Sequence, residues 1–473
     1  MAEKKEKKES EILKEKLALK SESAWEKLEK GEHDRVFEFA GEYKEFLSNY
    51  KTEREIVEFG KRQAEKKGFI GMEQSNLKAG SNFWVQNKGK NIGFIVLGKH
   101  ALENGMRLVI SHVDACHLDL KINPLYENSG LVMLNTHYYG GIKKYHWVNE
   151  PLALHGVVFL KNGKKLEINL GEKSGEPVFC IPDLLPHVGY KVFAEKKIAD
   201  AVTGEQLDAV AASIPFAEKD ATEKIKLNLL KLLNEKYGMI EEDFFSAELQ
   251  LVPSVKARDV GFDEGLIGAY GHDDRAGSFA ALSAILDVKG IPEHTIMVLW
   301  MDKEEVGSTG ATGSESFFLE RVIEELAKKT KCSKSAMDVL AESYAISADV
   351  DASIDPKYLE FFDIQNSNVT GFGVSVSKST GVGGKYDGSD ANAEFMAFIR
   401  KLFNDNNVVW QTGELGKVDE GGGGTVAKYF AKYGCEIVDI GPPVLAMHSP
   451  FELVSKVDLY QAKKAYKVFL ESK

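Results

Sequence analysis

The chain has 473 residues, more than one ordinary core holds, so a large unit plus a second is expected. Hydrophobic residues make up 43% and charged residues 28%, a globular balance, and the net charge of −12 excludes phosphate backbones and anionic membrane as natural partners. No apolar run reaches the roughly 18 residues of a membrane span, the start does not read as a secretory signal, and the four cysteines lack a CxxC pair, so reduced thiols in a cytoplasmic protein are expected.

Residues 1–20 are rich in Lys and Glu and read as an exposed helix or arm. Residues 10–70 carry helical apolar stripes through Trp25, Leu28, Phe37, Phe39, Tyr43, Phe46 and Leu47. Strands follow at 83–85, 91–97 and 106–111, and then alternating runs at 131–137, 152–159 and 165–169, broken by turns such as Asn162-Gly163. A charged helix is predicted over 217–240 and a strand over 247–252. After residue 270, helices at 274–287, 314–328, 390–404, 424–433 and 456–470 alternate with strands at 295–301, 344–350, 372–377, 406–410 and 436–440. Alternation of this kind marks an α/β fold with a helix-covered central sheet. It is split in sequence, residues 1–118 and 256–473 forming one domain and residues 119–255 a β-rich insertion.

Asp302-Lys303-Glu304-Glu305-Val306-Gly307-Ser308 is the most informative stretch. Two adjacent carboxylates at the end of a buried strand are costly to desolvate without partners. A pair of divalent ions supplies such partners, one glutamate binding metal and its neighbour handling the proton of a metal-bound water. Four further segments lie at predicted strand ends or helix starts. They are Ser111-His112-Val113-Asp114, Gly271-His272-Asp273-Asp274-Arg275, Ser347-Ala348-Asp349 and Met447-His448-Ser449-Pro450. Singly, each has an ordinary structural explanation: a helix cap for Asp273, a hydrogen-bonded core histidine for His112 or His448, a solvated loop for the glutamates. Together they offer two imidazoles and three carboxylates for two ions, with a spare glutamate as base, and open α/β sheets bind ligands at the carboxyl ends of their strands. Cys116, near His112 and Asp114, reads as a small buried hydrophobe or as a residue outside the ligands and their direct supports.

In this order the motifs resemble the metallo-aminopeptidase family of aspartyl aminopeptidase and vacuolar aminopeptidase I, over about residue 80 to the C-terminus. The resemblance implies an αβα-sandwich di-zinc peptidase domain with an inserted β-rich dimerisation domain. It implies zinc ligation by His112, Asp273, Glu305, Asp349 and His448. Asp273 would bridge, with His112 and Asp349 on one ion and Glu305 and His448 on the other. Glu304 would be the general base and Asp114 the orienting carboxylate. Tyr139-Gly140-Gly141 and Ile181-Pro182-Asp183-Leu184-Leu185-Pro186-His187 also match, His187 implying an oxyanion contact made in a neighbouring subunit. Implied too are peptide substrates with a free N-terminus, a tetrahedral homododecamer, and two zinc ions per subunit, for which cobalt or manganese could substitute.

The match has departures. Ile354-Asp355-Pro356 stands where many relatives carry His-Pro-Asn, and extra glycines at 381, 383 and 384 blur the alignment of Lys378, Lys385 and Tyr386, which lie where relatives contact substrate. The run Gly421–Gly424 is expected to approach substrate or metals closely with its backbone. Two other readings are a di-metal deacylase or carboxypeptidase on the same scaffold, and an assembly protein without catalysis. Specificity is expected to be neutral or broad.

Overall fold

The computed structural model describes residues 8–19, 21–74 and 77–473. Of the expected N-terminal arm, residues 1–7 and 20 lie outside this set; Glu9–Leu17 is a helix with no buried residue. The core is a nine-stranded sheet. Its strands, in spatial order, are Ile70–Gly71, Asn82–Asn87, Asn91–Val96, Thr295–Met301, Met106–His112, Tyr344–Ser347, Glu436–Gly441, Val374–Ser377 and Trp410–Thr412. The central four, from Thr295–Met301 to Glu436–Gly441, run parallel. They are buried on both sides and therefore read as nearly continuous apolar runs.

Alternate residues feed two cores. Val109 and Val298 join Phe94 and Trp300 in a layer formed with the helices Glu32–Asn49, Glu53–Lys66, His272–Leu286 and Lys456–Leu470. Leu108, Ile110, Met297 and Leu299 pack on the other face against the helices Phe318–Thr330 and Ala336–Ala341. The result is the expected αβα sandwich.

Residues 117–253 form a separate antiparallel sheet, in the order Lys165–Leu170, Leu152–Phe159, Ala247–Pro253, His117–Asn128, Leu131–Tyr139 and Ala209–Ala212. The helix Glu53–Lys66 is tied to it through the buried His155, whose Nδ1 lies 2.9 Å from Glu55 and whose Nε2 lies 3.1 Å from Glu172. A third, five-stranded sheet of short strands includes Leu266–Ala269 and Glu452–Ser455.

Several boundaries differ from expectation. The helix expected over 424–433 is only Ala427–Ala431, because Gly422–Gly423 pairs with Gly381–Val382 as a two-stranded ribbon. The strand expected at 406–410 falls at Trp410–Thr412, because the preceding helix runs on to Asp405. No helix among the described residues is long and apolar enough to cross a membrane, and the four cysteines are free.

Candidate active site

Parallel strands with matched register bring separate segments to one edge. Met301 sits opposite His112, and Ser347 opposite Ile110. The chain leaving each strand therefore delivers His112, the Asp302–Glu305 turn and Asp349 to the same end of the sheet. The helix starting at His272 packs its first turn on the same edge. A Cβ at Gly277 would lie 1.8 Å from the Ala348 carbonyl oxygen, so only glycine allows the helix to approach so closely.

Asp273 occupies the centre. One of its oxygens lies 3.1 Å from His112 Nε2 and the other 3.1 Å from His448 Nε2. Each imidazole is extended by a second carboxylate: Asp349 Oδ1 is 3.7 Å from His112 Nε2, and Glu305 Oε2 is 3.4 Å from His448 Nε2. His112, Asp273 and Asp349 form one compact group of possible metal donors, and Cys116, Glu305 and His448 another. The positions are fixed by surrounding contacts. Asp114 accepts the Glu304 and Glu305 backbone N–H groups, both at 3.2 Å, and the Tyr139 hydroxyl at 2.8 Å, and it lies against His112 Nδ1 at 3.3 Å. His448 Nδ1 is 3.0 Å from the Gly141 carbonyl oxygen. The Tyr139-Gly140-Gly141 motif thus supports the site from the antiparallel sheet.

Electrostatics sets the site apart. Burial pushes the Glu304 carboxyl up to about 8, with Asp349, Asp114 and Asp273 adding to the shift against His112. Burial likewise raises Glu305 and Asp349. Asp273 runs the other way: burial favours its neutral form, but His112 and His448 hold it well below the usual carboxylate range. None of these carboxylates pairs with Lys or Arg among the described residues, and buried Glu305 Oε1 has no hydrogen-bond partner. A buried cluster of carboxylates without Lys or Arg partners among the described residues, with a central carboxylate shared between two imidazoles, fits divalent cations with N and O preference.

The cluster opens into a cavity of about 300 Å³ lined by Asp273, Glu304, Asp349 and His448 on one side and by the Gly421–Gly424 run on the other. The glycines do approach backbone closely, but the backbone is the chain's own: a Cβ at Gly422 would lie 2.4 Å from the Gly381 carbonyl oxygen. Lys385 lines the cavity while pairing with Asp390 at 3.0 Å; Lys378 binds the same carboxylate at 2.6 Å and is not in the lining. Tyr386 is 72% exposed. His187 sits on the exposed helix Pro186–Glu195 and does not line the cavity of its own chain.

Of three supporting residues, Glu452 is absent from the sequence reading, while Asp274 and Cys116 stand in it without the contacts they make. Glu452 accepts the His448 N–H at 2.7 Å and the Asp273 N–H at 3.1 Å, linking two segments almost 180 positions apart. Asp274 accepts the His112 N–H at 3.3 Å. Cys116, expected to stand back from the site, touches Glu305 directly, Sγ lying 3.3 Å from Oε2. The only available signal was proximity in sequence: Glu452 lies four residues after His448, Asp274 next to Asp273, and Cys116 two residues after Asp114. His272 is structural, its ring held between the Tyr43 hydroxyl and the Ile267 carbonyl, with burial lowering it to about 3.

A doubly covered sheet whose four central strands run parallel, with carboxylates and imidazoles gathered at their carboxyl ends, is a site suited to divalent metal. The chain belongs to the M18 peptidase family, described as the aminopeptidase I zinc metalloproteases, whose profile matches residues 46–470. It is 46% identical to a "Probable M18 family aminopeptidase 1" of Borrelia garinii subsp. bavariensis over 456 residues, 95% of this chain and 99% of that one. The crystal structure of an M18 aminopeptidase from Thermotoga maritima superposes with a TM-score of 0.92 at 42% identity, over 96% of this chain and all of that one. Aminopeptidase I of Clostridium acetobutylicum gives 0.90 at 39%, with the same coverage. The protein is accordingly a metallo-aminopeptidase, a hydrolase of peptide bonds.

Proposed function

We propose that the protein removes N-terminal residues from peptides with a two-zinc site shared across Asp273. The observation that carries the reading is the disposition of Asp273, each of whose oxygens faces a different imidazole backed by a further carboxylate. His112 and Asp349 would hold one ion, Glu305 and His448 the other, and cobalt or manganese would suit the same donors. Ions bound there would acidify water and polarise the scissile carbonyl. Glu304 takes the proton of the attacking water and returns it to the leaving amine. Asp114 keeps Glu304 and Glu305 in place by accepting their backbone N–H groups and orients His112.

His187 acts from another copy of the chain, donating to the oxyanion; a donor of this type contributes about 3 to 4 kcal/mol. Leu185, which caps the helix that carries it, and Val188 on its first turn are 53 and 67% exposed, apolar surface suited to cover by a second copy. Residues 119–255 serve as the association insert of a tetrahedral homododecamer in the cytoplasm. Enclosure of this kind admits peptides and excludes folded proteins. Specificity for the first residue is neutral or broad.

A panel of free and N-acetylated aminoacyl-nitroanilides, run on metal-stripped enzyme with zinc, cobalt or manganese restored, tests the reaction. Metal-dependent release from free-amine substrates alone is expected. Release of nitroaniline from acetylated substrates points instead to an amidase that needs no free amine, acetate release without nitroaniline points to a deacylase, and no release from either removes the peptidase reading.

A further inference from the structure

Cys116 lies on the turn between the strands Met106–His112 and His117–Asn128, is only 3% exposed, and sends its sulfur toward Glu305 and His448. Sγ is 3.3 Å from Glu305 Oε2, which is itself 3.4 Å from His448 Nε2. The thiol donates to Oε2 at this distance, and the spacing also suits two ligands of one ion, since donors at about 2.3 Å (sulfur) and about 2.0 Å (oxygen) from one tetrahedral zinc lie roughly 3.5 Å apart. Glu305 supplies an independent sign: its Oε1, buried with a side chain 3% exposed, has no hydrogen-bond partner among the described residues. Gly140 sets the direction of the thiol, for a Cβ there would stand 2.5 Å from Sγ and 3.2 Å from Glu305 Oε2.

We propose that Cys116 is a further ligand of the ion held by Glu305 and His448, giving that ion a sulfur donor while the ion of His112 and Asp349 keeps only nitrogen and oxygen. The proposal rests on the two-ion reading above. On binding, the S–H bond breaks, its proton leaves to solvent, and a sulfur lone pair forms the bond to the ion; no electron is transferred. A soft donor makes the two positions unequal, so thiophilic ions such as zinc or cadmium favour the Cys116 side.

The test uses the assembled full-length protein, stripped of metal and reloaded. With zinc, X-ray absorption at the metal edge should show a sulfur scatterer at about 2.3 Å beside the nitrogen and oxygen shell. With cobalt(II), a sulfur-to-metal charge-transfer band should appear in the near ultraviolet. Cys116→Ser should lose both signals while metal remains bound, and the wild-type spectra decide the matter alone if that variant does not fold. Bound metal with only nitrogen and oxygen neighbours overturns thiol ligation and leaves the two-ion reading standing. Failure to bind metal overturns both.

Discussion

Glu304 and Glu305 are chain neighbours with different surroundings: Glu304 lines the cavity, whereas Glu305 faces Cys116 and His448. Removing the carboxylate of the proposed base while keeping its shape should separate these duties. Glu304→Gln is expected to lower turnover about 10²- to 10⁴-fold, with metal content unchanged by elemental analysis. Activity above about a percent of wild type removes Glu304 from that role. Tyr139 is a positioning residue. Its hydroxyl donates to Asp114, which holds both glutamate N–H groups and His112. Tyr139→Phe should cost about 10- to 100-fold, shared between kcat and metal affinity, because outer partners of a metal site act through ligand orientation. Unchanged kcat together with unchanged zinc affinity would exclude it.

At the scale of elements, His155 joins the helix Glu53–Lys66 to the antiparallel sheet. Burial alone would lower its pKa, but Glu172 and Glu55 outweigh it and raise the ring above 6.5. A raised folded value contributes stability that is fully present below about 6.5 and is lost as pH climbs through the folded value. Glu55 and Glu172 are lowered despite burial, chiefly by His155, so their part is lost as pH falls below about 4.5. The triad should therefore contribute most between these limits. His155→Leu is expected to cost about 3 kcal/mol near pH 6, with the gap in Tm from wild type narrowing as pH rises. A gap that widens with pH contradicts the assignment. The elements themselves were legible where apolar period and length agreed, as in Thr295–Met301 and Lys456–Leu470. The five-stranded sheet was not, because strands such as Arg258–Val260 and Pro443–Leu445 are three residues long and carry no period. The edge where His112, Asp273, Glu305, Asp349 and His448 meet was legible because each follows a strand or opens a helix. Glu452 was not, since only the folded chain brings it against that edge; the nearness of Cys116 to the site was legible, but its contact with Glu305 was not.

For the whole molecule, the exposed helix around His187 is the surface that self-association would cover. Val188→Asp should shift the protein to smaller species in size-exclusion chromatography and reduce activity with it, while an unchanged elution volume argues against an interface there. His187→Ala should lower the rate with metal content intact. Co-assembling it with Glu304→Gln should restore activity, since one subunit then brings the histidine and the other the base; no recovery in mixed assemblies contradicts action across subunits. Anomalous diffraction at the zinc edge, from crystals of the reloaded protein, decides whether two ions share Asp273. Two peaks per chain are predicted, one between His112 and Asp349 and one between Glu305 and His448, each in contact with Asp273. A single peak, or two that leave Asp273 uncoordinated, would contradict it.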